Sequence, residues 1–222
     1  MIQMVACDVA GTTVNDDGVV LRAFTKAFSS IAPDQWAEKK VEWTQYAIDT
    51  MGQSKIKVFT EILQDAELAQ SANLAFEAAY LELIETEGAA PIAGAEEFFE
   101  MLREMGIPVV LTTGFSRPTL DTLLEKLGWN RLINLSVVPA EAGEGRPSPA
   151  MLEFAARALG VTDPATCVVV GDTDNDMLSG VAFGAGHRIG VLSGAHAAPA
   201  LAQAGATEIV NSVADIGHLL FA

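Results

Sequence analysis

The chain has 222 residues, half of them apolar and 19% charged, enough for one full core with a modest second lobe. Its formal charge of −16 argues against nucleic acid and anionic membrane surfaces as partners. The same charge requires that any site for an anionic ligand be made locally positive by metal, Arg, Lys or backbone N–H groups.

The apolar runs are far shorter than a membrane span. No basic stretch followed by a long apolar run opens the chain, so no signal peptide is expected and a cytoplasmic location is the simplest reading. Cys7 and Cys167 fall in predicted strands and read as small buried hydrophobes.

The first predicted strand, residues 2–7, runs into Asp8-Val9-Ala10-Gly11-Thr12-Thr13. Asp16 and Asp17, beside Asn15 and Gly18, read as a solvated turn. From about residue 20 to 88 there is only helical periodicity: Ile56, Phe59 and Leu63 form one stripe, and Phe76, Tyr80, Leu83 and Ile84 another. That stretch is too long for a simple crossover and predicts an inserted helical cap over residues 18–88, leaving 1–17 and 89–222 as the core.

Beyond it, helices are predicted at 94–105, 118–127 and 148–159, the last stopped by Gly160. Strands are predicted at 107–112, 132–138, 167–170 and 188–192. The strand at 107–112 leads into Thr113-Gly114, Gly145-Arg146-Pro147 follows the next, and the one after runs into Gly171-Asp172-Thr173-Asp174-Asn175-Asp176. Alternating strands and helices predict an α/β fold, a doubly wound (Rossmann-like) parallel sheet.

In such sheets ligands sit beyond the carboxyl ends of the strands. Carboxylates, hydroxyls, glycines and Arg146 therefore converge on one edge. Acids gathered there repel one another unless a cation joins them, and an all-oxygen set favours Mg²⁺.

These four segments, in this order, resemble the motifs of the haloacid dehalogenase superfamily over essentially the whole chain. The resemblance implies that Asp8 attacks phosphorus and becomes an aspartyl-phosphate. Asp8, the Ala10 carbonyl and Asp172 would hold Mg²⁺, with Asp176 supporting them. Thr113, the Gly114 N–H and Arg146 would bind phosphoryl oxygens, with Thr12, Met51 and Gly52 also lining the substrate site.

One position departs from most phosphatases of that superfamily: the general acid two residues after the nucleophile is Ala10 here. An alkoxide leaving group would lose its proton donor, typically worth 10²–10⁴-fold. The phosphonoacetaldehyde hydrolase (phosphonatase) branch resembles this chain in the segment from Ala10 to Val14, in Met51-Gly52-Gln53-Ser54-Lys55-Ile56 and in Gly145-Arg146-Pro147. There a cap lysine forms an imine with an aldehyde, so that carbon–phosphorus cleavage releases an enamine. Lys55 holds that position, in a predicted first helical turn where the dipole disfavours an ammonium. Val58, Phe115 and the absence of an early cap cysteine depart from the branch.

The expected function is thus phosphonatase-like hydrolysis of a small organophosphorus substrate by Asp8 and Lys55. The alternatives are a phosphomonoesterase, a metal-independent dehalogenase, and an inert binding relic. The resemblance also suggests a homodimer through the cap, for which the segment from Trp36 to Trp43 would supply an apolar face or else pack internally.

Overall fold

The structure is a computed structural model describing residues 1–221. Strand β1 (Met4–Asp8) is followed by four consecutive helices, α1 (Val19–Ile31), α2 (Pro33–Asp49), α3 (Lys55–Leu63) and α4 (Ala66–Thr86). Then come α5 (Ala95–Glu104), β2 (Val109–Thr112), α6 (Arg117–Leu127), β3 (Leu135–Val137), α7 (Pro139–Ala142) and α8 (Ala150–Leu159). The chain closes with β4 (Cys167–Gly171), α9 (Asp174–Phe183), β5 (His187–Val191), α10 (Ala198–Gln203), β6 (Glu208–Val210) and α11 (Ile216–Phe221).

The six strands form one parallel sheet in the order β3-β2-β1-β4-β5-β6. This is the doubly wound architecture expected, with one strand more: Glu208–Val210 is too short to announce itself as an apolar run. Strands β1, β2 and β4 are buried along their whole length, the result of covering both faces of the sheet with helices. The order reverses between β1 and β4, and the crevice beyond their carboxyl ends is where such sheets bind ligands.

The four helices after β1 pack on one another through an aromatic cluster. Phe24 contacts Phe59 and Phe76 at ring-centroid distances of 5.1 and 4.7 Å, and Phe28 contacts Trp36 and Trp43 at 5.3 and 4.9 Å. Both tryptophans are buried, so they pack internally among these helices. The aromatic cluster is continuous with the core between the sheet and α5 and α6.

Candidate active site

The turn after β1 is tight: the N–H groups of Thr13 and Val14 donate to the Val9 carbonyl at 3.0 and 2.8 Å, and Gly11 N–H donates to Val14 O at 2.8 Å. Gly11 has φ +88°, and a Cβ there would come within 2.6 Å of the Asp172 carboxylate. Only glycine lets this turn approach the end of β4 so closely. Ala10 lies in the same turn, bridged to Val14.

At this edge Asp8, Asp172 and Asp176 each place a carboxylate oxygen within 4.8 Å of the others, and all three are buried. Thr12 Oγ1 donates to Asp172 Oδ1 at 2.9 Å and the Ala195 N–H to Asp172 Oδ2 at 2.7 Å. Burial, and then the neighbouring Asp8 charge, raise the Asp172 carboxyl well above the usual carboxylate range. Asp176 Oδ2 accepts from the Thr173 N–H at 3.1 Å and the Thr173 hydroxyl at 2.5 Å, fixing it in the first turn of α9. A buried, all-oxygen, anionic triad suits a hard divalent cation, so these residues fit a metal site.

Arg146 enters this triad from the loop after α7. Its Nη2 lies 2.6 Å from Asp8 Oδ1 and its Nη1 is paired with Asp176 Oδ1, while its buried Nε has no partner. Thr113, just past β2, accepts at Oγ1 from the Phe115 N–H at 3.3 Å. Gly114 lines a cavity of about 370 Å³ together with Lys55, Glu77, Phe115, Ser116 and Gly145.

From the helical side, Met51 and Gly52 are clipped to the same edge. Asn175 Nδ2 donates to the Met51 carbonyl at 2.8 Å, and Gly52, at φ +86°, sits where a Cβ would meet the Thr173 hydroxyl at 2.6 Å. Ser54 is the N-cap of α3 and Lys55 its first residue. The Lys55 side chain is only 5% exposed. Its Nζ stands 5.5, 5.9 and 5.8 Å from the ring centroids of Phe24, Phe76 and Phe115, and makes no hydrogen bond or ion pair among the described residues. Burial, then the Arg146 charge, lower its pKa to about 8, against the opposing pull of Asp8, Asp16 and Glu77.

Three residues at this site were not singled out by their sequence context. Asp16 is no solvated turn: it is partly buried, its Oδ1 accepts from the Val20 N–H at 3.0 Å at the start of α1, and burial raises its pKa. Asp17 is exposed as expected. Tyr80 is 2% exposed, packs 4.5 Å from the Phe115 ring, and is kept protonated by burial and by the charges of Asp16 and Asp8. Glu77, on the same helix, reaches into the core and bonds to Ser116 and Thr119.

Residues 2–184 match the haloacid dehalogenase-like hydrolase family model. The chain is 26% identical over 220 residues to a bifunctional riboflavin kinase/FMN phosphatase of Arabidopsis thaliana, covering 96% of this chain and 54% of that protein. It thus spans about half the length of that relative. It is 31% identical over 198 residues to a phosphonoacetaldehyde hydrolase of Bacteroides fragilis, covering 81% of this chain and 72% of that one. A hydrolase structure from Pseudomonas syringae superposes with a TM-score of 0.84 at 22% identity, covering 99% and 98% of the two chains, a likeness of fold. With the family model spanning both the turn after β1 and the acids after β4, this chain belongs to the haloacid dehalogenase-like hydrolases.

Proposed function

We propose that this member of a phosphohydrolase family is phosphonatase-like, cleaving the carbon–phosphorus bond of a small aldehyde phosphonate with Asp8 and Lys55. The observation that carries the reading is the state of Lys55. A lysine buried among three phenylalanines, unpaired and with its pKa lowered to about 8, gives up its proton far more readily than a surface lysine and so can serve as a nucleophilic amine. It lies close enough to Asp8 for their charges to interact. Ala10, where a general acid would stand, fits a leaving group that needs no proton from that position.

In this reading helices α1–α4 act as a cap over the sheet edge. The Lys55 amine condenses with the aldehyde carbon, releasing water and forming an imine. An Asp8 carboxylate oxygen attacks phosphorus, the carbon–phosphorus bond breaks, and its electron pair passes into the protonated imine to give an enamine. The enamine takes up a proton and is hydrolysed from Lys55, while water cleaves the aspartyl-phosphate. Thr113, the Gly114 N–H and Arg146 bind the phosphoryl oxygens, with Thr12, Met51 and Gly52 shaping the site. Mg²⁺, held by Asp8, Asp172 and the Ala10 carbonyl with Asp176 in support, would supply charge neutralisation at the phosphoryl group.

Borohydride added with an aldehyde phosphonate should leave a covalent adduct on Lys55. No adduct, with phosphate-ester turnover intact, removes the imine mechanism. That outcome favours the second reading, a phosphomonoesterase, which draws support from Val58 and Phe115 and from the similarity to a protein named in part as an FMN phosphatase. Beryllofluoride with Mg²⁺ should raise the melting temperature of the wild type and not of Asp8→Asn. An unresponsive wild type would instead point to an inert binding protein.

A further inference from the structure

Glu77 is a buried carboxylate, 9% exposed, with no cationic partner among the described residues. It sits on α4, yet the side chains and backbone it bonds belong to the other side of the seam. The Ser116 N–H donates to Oε1 at 3.2 Å, the Ser116 hydroxyl donates to Oε2 at 2.8 Å, and the Thr119 hydroxyl donates to Oε2 as well. Ser116 is the N-cap of α6 and in turn accepts from the Thr119 N–H at 3.5 Å. The first turn of α6 carries no acidic residue of its own, so the negative charge that complements its N-terminus comes from α4. Three donors converge on this one carboxyl group, a geometry that binds more strongly than separate neutral pairs.

The position of this contact matters. Helix α6 begins three residues after Thr113-Gly114, and Phe115, between them, carries both the Lys55 cage and the Tyr80 contact. The cavity beside Lys55 is lined from both sides of the seam, by Ser54 and Glu77 from the helices and by Gly114 and Gly145 from the core. Two turns further along α4, Glu85 meets Lys126 of α6 at 3.0 Å, but that pair is exposed and contributes little. Among the described residues the buried polar contact between the two helices is made by Glu77.

We propose that Glu77 is a positioning residue, a latch whose bonds to Ser116 and Thr119 close helices α1–α4 over the site and, by completing the cap of α6, fix the Thr113–Ser116 loop only when they are closed. The inference rests on the reading of these helices as a mobile cap. When Glu77 leaves, the N-terminus of α6 loses its charged acceptor and Lys55 becomes reachable from solvent.

The test compares the rate at which an amine-reactive reagent modifies Lys55, read by mass spectrometry, with that of exposed Lys57 in the same molecule. In the wild type Lys55 should be protected; if it reacts as fast as Lys57, the cap reading fails. Glu77→Gln, which exchanges one acceptor oxygen for a donor, should speed Lys55 modification about tenfold and raise KM by a similar factor, leaving kcat near wild type. Thr119→Val should act in the same direction without altering the cap, and the double variant should add little to the larger single effect. A protected Lys55 in both variants overturns the latch while sparing the cap reading. So does a fall in kcat at constant KM, the sign of a simple loss of folded protein.

Discussion

Nη2 of Arg146 lies 2.6 Å from Oδ1 of Asp8, so the proposed nucleophile is held by the cation proposed to bind its target. The guanidinium also pairs with Asp176, and it is the only basic side chain ion-paired with the triad among the described residues. Arg146 therefore balances charge that a metal would also balance. Removing one partner of a buried ion pair costs about 3–5 kcal/mol. Arg146→Met should lower stability by about that much in metal-free urea titrations, and Mg²⁺ should restore more of the loss than it adds to the wild type. Equal responses to Mg²⁺ in the two proteins would contradict this balance.

Burial makes Lys55 costly to the fold in a pH-dependent way. Its pKa falls from 10.5 to about 8, so between those values the unfolded chain holds a proton that the folded chain lacks, and stability rises with pH. Below about pH 8 both states are protonated and the full penalty applies. Lys55→Met should be more stable than the wild type by about 3 kcal/mol at pH 7, a gap that closes from about pH 8 to 10.5. A gap that stays constant across that range would mean Lys55 is not the group responsible. With an aldehyde phosphonate, kcat/KM of the wild type should climb through about pH 8 as the amine loses its proton.

Ala10 invites the reverse experiment. Ala10→Asp places a carboxyl two residues past the nucleophile, where it can protonate a leaving alkoxide. Turnover of alkyl phosphate esters should rise by about 10²-fold or more. An aryl phosphate, whose leaving group needs little help, should scarcely respond. Equal gains on both substrates would show that the new carboxylate acts by something other than proton donation.

Much of this site was legible because strand ends are. Asp8, Thr113 and Asp172 each terminate an apolar run, and period alone places them on one edge of a parallel sheet. Lys55 was legible through the resemblance carried by Met51-Gly52-Gln53-Ser54-Lys55-Ile56, with Ser54 standing at the N-cap of α3. Asp16 was misread because turn residues surround it, and nothing local says that one carboxylate of a pair faces inward. Glu77 was invisible for a different reason. A charged residue on a helix reads as a solvated face, and its partners Ser116 and Thr119 lie 39 and 42 positions away. Arg146 was legible at this edge through its motif, but its ion pairs with Asp8 and Asp176 were not, since a loop residue's pairing is decided by tertiary packing.

Cys7 immediately precedes Asp8 and is wholly enclosed in the sheet, as is Cys167 on the adjacent strand. Burial, and then the Asp8 charge, hold the Cys7 thiol far from ionising. Toward solvent the native protein therefore behaves as a thiol-free background. Cysteines introduced at exposed positions on α4 and α6 can be tagged selectively with a pair of dyes or spin probes, giving a direct ruler for the gap between those helices during turnover.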